Sequence, residues 1–291
     1  MLCSYNMNVS HLILACRNMS KGEKAKKEVL ASGRISAPGK VEVWQLDMSQ
    51  YSSVLAFGNR MKSLSRLDAF IANAGIVTNN FEKFEGHESS LTVNVISTLL
   101  VALLAIPKLQ ETSKLQQKPS RLVLTGSVVH AFAKHKYLSE PKPGDIFRTL
   151  DDETTADMAD RYNLSKLVLI LGFRKLAEEI RQSSAQERGS VIINFVNPGW
   201  CKTELFRVDD GGIGGRIGLR LTGRTAEEGS RTLVHGAVIA GEETHGKYVS
   251  ECRVKPESTW VRSAESVQVE KRLWTELVAI LEAIQPGITH L

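Results

Sequence analysis

The sequence has few cysteines, and none of them forms a pair of a metal-binding or redox type. Its four cysteines, at positions 3, 16, 201 and 252, lie far apart, with no Cys-x-x-Cys pair and no neighbouring histidine cluster. This spacing argues against a zinc site and against a disulfide framework. We therefore expect no metal, and we predict a reducing compartment, the cytoplasm.

Long apolar runs and a leader segment are also missing. The longest apolar run, residues 99–106, is well short of the roughly 20 residues that span a bilayer. No basic segment followed by a long apolar stretch opens the chain. Neither a signal peptide nor a membrane anchor is therefore predicted.

Basic charge is not concentrated in a patch along the chain. The formal net charge is +5, but basic residues alternate with acids, as in KGEKAKKEV. This pattern favours a solvated helix face over a nucleic-acid surface, and the basic balance suits an anionic small molecule.

A Gly-x-Ser-x-Gly nucleophile elbow is missing around Ser127, which excludes a serine hydrolase of that type.

Short β-branched and leucine-rich runs alternate with longer helical patterns along the chain. The predicted strands cover residues 11–15, 41–46, 67–72, 121–126, 190–196 and 247–250. The predicted helices cover residues 19–32, 49–64, 88–111, 161–184, 225–240 and 264–284. Such alternation is typical of βαβ units, so we predict a Rossmann-type α/β fold: a doubly wound parallel sheet with helices on both faces.

Arg17 directly follows the first predicted strand, in the segment ACRN. At this strand end of dinucleotide-binding folds an acid binds the ribose 2′-hydroxyl, whereas an arginine can pair with a 2′-phosphate. Arg17 therefore predicts NADP(H) rather than NAD(H), and a surface arginine without a ligand is the alternative. After the next strand, Asp47 and Met48 fit an adenine contact, although Asp47 also fits a helix cap.

Small and turn-forming residues follow two further strands. The segment Asn73-Ala74-Gly75 lets the backbone approach a cofactor closely, unless Gly75 only supplies a turn with positive φ. Pro198 and Gly199 are predicted to lie over a nicotinamide, with Thr203 within reach of its carboxamide or of the phosphates. A Pro-Gly turn followed by a helix cap at Thr203 explains the same residues without a ligand.

The main catalytic candidates are Asn94, Ser127, Tyr162 and Lys166. Tyr162 and Lys166 are four residues apart in RYNLSK, so on a helix they share one face. An ammonium stabilises a nearby phenolate, so we expect Lys166 to lower the pKa of Tyr162 and make it a general acid or base. Ser127 would bind the same substrate oxygen, and Asn94 would hold helix backbone and a water in a proton relay. A Tyr-x-x-x-Lys pair by itself carries little weight.

Taken in order, these segments resemble the short-chain dehydrogenase/reductase family over nearly the whole chain. The resemblance rests on NVSHLILACRN, LDMS, IANAG, LTVNVIS, RLVLTGSVVH, YNLSK, NPGWCKTEL and GKYVSECRV. ACRN, SVVH and the long interval from Ser127 to Tyr162 are similar to the retinol-dehydrogenase and WW-domain-oxidoreductase type. The GKYVSECRV and KRLWTEL segments resemble fungal members.

The resemblance implies NADP-dependent interconversion of a carbonyl and an alcohol on an apolar small molecule, with a fungal secondary-metabolite pathway as the setting. Aromatic residues after strand ends fit a bulky apolar or aromatic ligand, or else pack the local core; they are Phe132, Phe147, Trp200 and Phe206. Relatives often pair through the helices at 88–111 and 161–184, which implies a homodimer. Gly126 stands where relatives usually have serine, and we expect no loss from it.

The strand and glycine-rich turn that open this family's sheet are missing from the sequence. In relatives a Thr-Gly-x-x-x-Gly-x-Gly turn holds the cofactor pyrophosphate, whereas SYNMN here resembles the end of the helix that follows it. The glycines at 211–215 follow no first strand and belong by position to a substrate lid at about 200–224. We expect residues 1–291 to form a single domain that is an N-terminally truncated form of a longer protein.

The missing strand predicts a defect in the sheet. In the strand order 3-2-1-4-5-6 the first strand lies between the second and the fourth. Without it, either the unit at 11–46 separates from the rest of the sheet or HLILA pairs directly with LDAFIA. A catalytically silent binding or regulatory protein with this fold is therefore the alternative to an active oxidoreductase.

Overall fold

The structure is a computed structural model that describes residues 9–33, 35, 39–182, 189–202 and 223–291. Strands β1 to β9 are His11–Cys16, Lys40–Gln45, Ala69–Ala72, Lys83–Phe84, His87–Glu88, Ser120–Thr125, Val191–Asn197, Lys247–Ser250 and Arg253–Val254. Helices α1 to α8 are Met19–Ala31, Tyr51–Lys62, Ser89–Gln116, Lys136–Ser139, Ile146–Leu150, Arg161–Gln182, Ala226–Val234 and Ala264–Ile284. Short 3₁₀ turns cover Val128–Phe132 and Glu242–Thr244.

The main sheet has five strands in the order β3-β6-β7-β8-β9. The first four are mutually parallel, and β9 adds an antiparallel edge. All seven residues of β7 are buried, because helices cover both faces of a central parallel strand. The α/β fold and all six predicted strands are confirmed, with strand ends shifted by at most two residues at β3.

Strands β1 and β2 form a separate two-stranded parallel sheet. Within the described residues β1 pairs only with β2, and β3 pairs only with β6. The first of the two predicted outcomes, separation of the unit at 11–46, is therefore the one that the structure shows. A cavity of about 1080 Å³ lies between the sheets, lined by β1, β3, Val101 and Val234 among others.

Aromatic packing attaches the small sheet to the rest of the molecule. Trp44 of β2 meets Phe57 of α2 edge-on, with ring centres 5.8 Å apart, and Phe57 lies 6.3 Å from Phe70 of β3. Trp44 and Phe57 are both buried in the main core. The two sheets are therefore joined through side chains rather than through a backbone ladder.

Helix α3 forms the centre of the core. It is long and apolar enough by composition to cross a membrane, but its most apolar 18-residue window is entirely buried in the protein. Helix α3 is therefore buried within the core of this protein. One π turn, Thr92–Ile96, widens the helix at the position of Asn94. Such turns often occur at functional sites.

Candidate active site

The residues that follow β3, β6 and β7 meet at one edge of the sheet. Parallel strands present their carboxyl ends together, where open α/β sheets bind ligands. Helix α6 packs against both the π turn of α3 and the 3₁₀ turn after β6. This packing brings Asn94, Ser127, Tyr162 and Lys166 to the same edge, as the sequence predicts.

Asn94 is fully buried and uses its side chain to hold two segments together. Its Oδ1 accepts a hydrogen bond from Ile76 N at 2.8 Å, and its Nδ2 donates to Ile76 O at 3.0 Å. Nδ2 also donates to Ser165 Oγ at 3.0 Å. Asn94 therefore fixes the backbone after Asn73-Ala74-Gly75 relative to helix α6.

Gly75 leaves the space in which Asn94 and Lys166 approach the strand end. A Cβ at this position would lie 3.1 Å from Asn94 Oδ1 and 4.0 Å from Lys166 Nζ. Gly75 is not among the residues with positive φ. The glycine is therefore explained by the close approach of Asn94 and Lys166, and not by a turn that needs positive φ.

Lys166 is buried, and its Nζ donates to Thr125 O at 3.0 Å. Burial lowers the pKa of this ammonium to about 8. Thr125 in turn donates from its Oγ1 to Asn73 Oδ1 at 3.2 Å. Lys166 is therefore fixed at the ends of β3 and β6, next to the Asn73-Ala74-Gly75 segment.

Tyr162 forms a hydrogen bond with the Ser127 side chain, so the two predicted catalytic hydroxyls are in contact. Burial raises the pKa of Tyr162 to about 12, and the bond to Ser127 opposes this rise. Lys166 Nζ lies 5.8 Å from the centre of the Tyr162 ring. The expected lowering of the pKa by Lys166 is wrong for this structure, because desolvation of the phenolate raises the pKa and Ser127, not Lys166, is the group that opposes the rise.

Two residues that complete the site were missed by the sequence analysis. Ser165 bridges the helices, since its Oγ accepts from Asn94 Nδ2 and donates to Tyr162 O at 2.8 Å. Asp160 is buried and accepts from Lys134 N at 2.8 Å, which ties the loop after β6 to the start of α6. The only sequence signal for these residues was their position, since Ser165 lies within the YNLSK segment and Asp160 lies two residues before it.

The three residues predicted to bind the adenosine half of the cofactor, Arg17, Asp47 and Met48, differ in exposure and in their contacts. Arg17 is exposed at the end of β1 and makes no ion pair with any residue that the structure describes. Asp47 accepts from Ser49 N at 3.0 Å and from Ser49 Oγ at 2.7 Å, so its carboxylate stabilises the turn before α2. Met48 is a buried core side chain. Asp47 N also donates to Ser53 Oγ at 2.9 Å and its carbonyl accepts from Gln50 N at 3.3 Å, so of these two residues it is the backbone of Met48 that fits an adenine contact.

The turn after β7 is held by the side-chain amide of Asn197, the last residue of that strand. Asn197 Oδ1 accepts from Gly199 N at 3.1 Å, and Gly199 has a φ of +84°, which favours glycine. Pro198 and Gly199 follow β7 and so lie at the same sheet edge as Lys166. Thr203 and the glycines at 211–215 lie outside the described residues, as does most of the lid predicted at 200–224.

The aromatic candidates divide into exposed and core residues. Phe132 is 70% exposed and Trp200 is 46% exposed, and the neighbouring Val128 is 44% exposed. Phe147 is only 4% exposed and packs edge-on against His87, so it belongs to the core. Phe206 lies outside the described residues.

Comparison with known proteins agrees with this geometry. Residues 5–137 match the family model described as short chain dehydrogenase. The chain is 40% identical over 97% of its length to the short chain dehydrogenase/reductase dmxR8 of Cryptosporiopsis sp. (strain 8999), and covers 86% of that protein. It is 38% identical over 97% of its length to the short-chain dehydrogenase anuD of Penicillium roqueforti (strain FM164), and covers 73% of it.

The chain is a short-chain dehydrogenase/reductase. Its fold also matches the crystal structure of a 3-oxoacyl (acyl-carrier-protein) reductase of Agrobacterium tumefaciens C58 with NADP bound, with a TM-score of 0.58 at 16% identity. That match covers 82% of each chain. As a member of this family, the protein is an oxidoreductase of carbonyl and alcohol groups that uses a nicotinamide cofactor.

One half of a nicotinamide cofactor fits the described residues of this dehydrogenase/reductase. The buried ammonium of Lys166 and the glycine at 75, where a side chain would meet Asn94, form a cradle for a ribose and nicotinamide. For the pyrophosphate, no glycine-rich strand-to-helix turn lies within the described ranges. The described residues therefore fit the cofactor at the catalytic end of the site.

Proposed function

We propose that this protein is an NADP(H)-dependent reductase of an apolar or aromatic ketone or aldehyde, and that it also runs the reverse oxidation. The observation that carries the proposal is the grouping of Ser127, Tyr162, Lys166 and Asn94 at one strand edge. Ser127 and Tyr162 bond to each other, Lys166 is held by Thr125 O, and Asn94 is held by Ser165. The preference for NADP(H) rests on exposed Arg17, whose planar fork suits a 2′-phosphate. The NADP-bound reductase with the same fold supports it.

The protonation states favour reduction at neutral pH. A reduced nicotinamide, when bound, would supply a hydride to the carbonyl carbon. Because the pKa of Tyr162 is raised to about 12, its hydroxyl is protonated and donates that proton to the carbonyl oxygen, which becomes the alcohol. Ser127 hydrogen-bonds the same oxygen, and Lys166, with a pKa of about 8, places a positive charge near the ribose.

The exposed apolar side chains support an apolar substrate. Val128, Phe132 and Trp200 follow the strand ends that carry Ser127 and Pro198, and all three are more than 40% exposed. Exposed apolar side chains beside a catalytic edge are typical of a binding surface for an apolar ligand. The fungal relatives dmxR8 and anuD support a place in fungal secondary metabolism.

A silent binding or regulatory protein is the second candidate function. It is favoured by one observation: within the described residues, β1, which precedes Arg17, is not paired with the main sheet that carries the catalytic residues. A fluorescence titration with NADPH distinguishes the two functions. Binding with turnover of an aromatic aldehyde such as 4-nitrobenzaldehyde supports the reductase, whereas failure to bind NADPH supports the silent protein.

The decisive variant is Tyr162→Phe, which removes only the proton donor. We expect NADPH affinity and the free energy of unfolding to stay near the wild-type values, while kcat falls by about 10²-fold or more, the usual contribution of a general acid. Stopped-flow oxidation of NADPH with 4-nitrobenzaldehyde measures kcat. Retention of more than a few per cent of activity would reject the role of Tyr162.

A cytoplasmic location and a homodimer are also proposed for this protein. Widely spaced cysteines and a buried α3 support a cytoplasmic protein. A homodimer through α3 and α6 follows from the family resemblance alone, and sedimentation equilibrium of the purified chain tests it.

A further inference from the structure

His130 is a buried histidine that the proposed reaction does not use. It lies in the 3₁₀ turn directly after Ser127 and is 3% exposed. Its Nδ1 lies 2.6 Å from Ser127 O, and its Nε2 accepts a hydrogen bond from Ser258 N at 3.2 Å. The ring also packs edge-on against Tyr248 of β8, with ring centres 5.4 Å apart.

These two partners determine the protonation of the ring. A carbonyl oxygen only accepts and a backbone N–H only donates, so Nδ1 carries the proton and Nε2 has none. Burial lowers the pKa of His130, against opposing effects of the Ser127 carbonyl and the Glu257 carboxylate. The neutral ring with Nδ1–H is therefore the form that satisfies both contacts.

The contact to Ser127 acts on a residue that touches the reacting atoms. Ser127 carries the hydroxyl bound to Tyr162, and its carbonyl is the acceptor for His130. The far side of His130 is anchored as well, because the segment that contains Ser258 is held to α6 by the Arg174–Glu257 ion pair at 3.5 Å. A hydrogen bond at each end thus fixes the ring between the catalytic turn and this C-terminal segment.

We propose that His130 is a positioning residue that, through its Nδ1–H bond to Ser127 O, orients the Ser127 hydroxyl towards Tyr162 and the substrate oxygen. The inference rests on the proposed function, since it assigns His130 a part in carbonyl reduction. The effect is geometric: a misplacement of about 1 Å at a catalytic group can cost about 10²-fold in rate. His130 itself makes no contact with the reacting atoms.

The test uses three substitutions that separate the two hydrogen bonds. The side-chain amide in His130→Asn lies near the position of Nδ1 and keeps a donor for Ser127 O. The longer amide in His130→Gln reaches instead the position of Nε2 and keeps an acceptor for Ser258 N. His130→Ala removes both contacts, and His290→Gln, at an exposed position near the C-terminus, is the matched control.

We expect His130→Gln and His130→Ala to lose about tenfold or more in kcat with 4-nitrobenzaldehyde, and His130→Asn to stay within about threefold of the wild type. NADPH affinity stays unchanged in all three variants. Equal kcat in the wild type and all variants would overturn the inference. Equal losses in the Asn and Gln variants would also overturn it, because they would mark a purely structural role.

A spectroscopic readout keeps the inference separate from the proposed function. In the wild-type protein without substrate, ¹⁵N NMR of the histidine ring at pH 7.5 should show a protonated Nδ1 and an unprotonated Nε2 for His130. The opposite tautomer or a doubly protonated ring would overturn the inference. If the wild type reduces no carbonyl compound but shows the expected tautomer, the proposed function fails while the contact itself stands.

Discussion

At the residue scale, the site depends on two groups whose pKa values are moved apart by burial. The pKa of Tyr162 is raised to about 12 and that of Lys166 is lowered to about 8. Both shifts have the same cause, since desolvation disfavours the charged form of an acid and of a base alike. At pH 7 the result is a neutral phenol beside a charged ammonium, an arrangement suited to proton donation.

The lowered pKa of Lys166 predicts a pH dependence of cofactor binding. Below pH 8 the ammonium is charged and attracts the anionic cofactor, and the charge is lost as the pH rises through about 8. We expect NADPH affinity, measured by fluorescence between pH 6 and pH 10, to fall across this step. Lys166→Arg keeps its charge over the whole range, so a step of equal size in that variant would contradict the assignment.

Stability should follow the same titration. The folded pKa of Lys166 lies below its ordinary value of 10.5, so the unfolded chain binds more protons between about pH 8 and 10.5. The contribution of Lys166 to the free energy of unfolding therefore rises with pH in that window. Lys166→Met, which has no proton to lose, serves as the reference in urea denaturation at each pH.

Arg17 predicts a change of cofactor preference. It is exposed and has no described ion-pair partner, so its guanidinium is available to a 2′-phosphate. We expect Arg17→Glu to lower the ratio of NADPH to NADH affinity by about tenfold or more, because a charge-assisted hydrogen bond contributes about 1.5–3 kcal/mol. Arg253→Glu, at an exposed position on β9, controls for the change in net charge. An unchanged ratio in the Arg17 variant would reject its role.

At the element scale, the turn after β6 is shaped by the Phe195 ring, which packs beneath it. A Cβ at Gly126 would lie 2.1 Å from Cε1 of Phe195, which is fully buried on β7. The Phe195 ring has little freedom to move, since it packs against Phe173 and Tyr248 at 5.3 and 6.4 Å. A serine at position 126 would therefore meet the Phe195 ring, whereas glycine fits the space that the packing leaves.

We accordingly expect Gly126→Ser to destabilise the protein by about 1–3 kcal/mol, the usual cost of overpacking a core. Phe195→Leu provides the matched variant, because the smaller side chain makes room for the new Cβ. In a double-mutant cycle the combined variant should recover part of the lost stability. Additivity within about 0.5 kcal/mol in urea denaturation would show that the two residues are not coupled.

At the scale of the whole molecule, the two sheets differ in how firmly they are held. Strands β6 and β7 are paired on both sides and buried. Among the residues that the structure describes, β1 is paired only with β2 and faces the cavity of about 1080 Å³ on its other side. Leu12, Ile13 and Leu14 of β1 are only partly buried. Local opening is easiest where few apolar contacts and a single ladder hold the backbone.

Hydrogen exchange should detect this difference. We expect the amides of β1 and β2 to exchange at least about tenfold faster than those of β6 and β7, because they open without global unfolding. Addition of NADPH should slow exchange near Arg17 if the cofactor reaches β1. Equal protection of the two sheets would show that the Trp44–Phe57 contact holds them as one cooperative unit.

The sequence by itself was sufficient for the fold class, the six parallel strands and the grouping of Asn94, Ser127, Tyr162 and Lys166. These features are local or follow from chain order: hydrophobic periodicity marks the elements, and parallel strands bring their carboxyl ends to one edge. The separation of the unit at 11–46 was also open to prediction as one of two outcomes. The order of strands in the family's sheet leaves only two outcomes for this unit, separation from the main sheet or direct pairing of HLILA with LDAFIA.

Only the tertiary structure decided which side chains are buried and what they contact. It placed Met48 and Phe147 in the core, used the Asp47 carboxylate in a turn, and reversed the expected pKa shift of Tyr162. It also revealed two hydrogen bonds between residues that are distant in the chain: Ser165 bonds to Asn94, and His130 bonds to Ser258. Desolvation and long-range hydrogen bonds depend on packing between distant segments, and a linear pattern of residue types does not contain that packing.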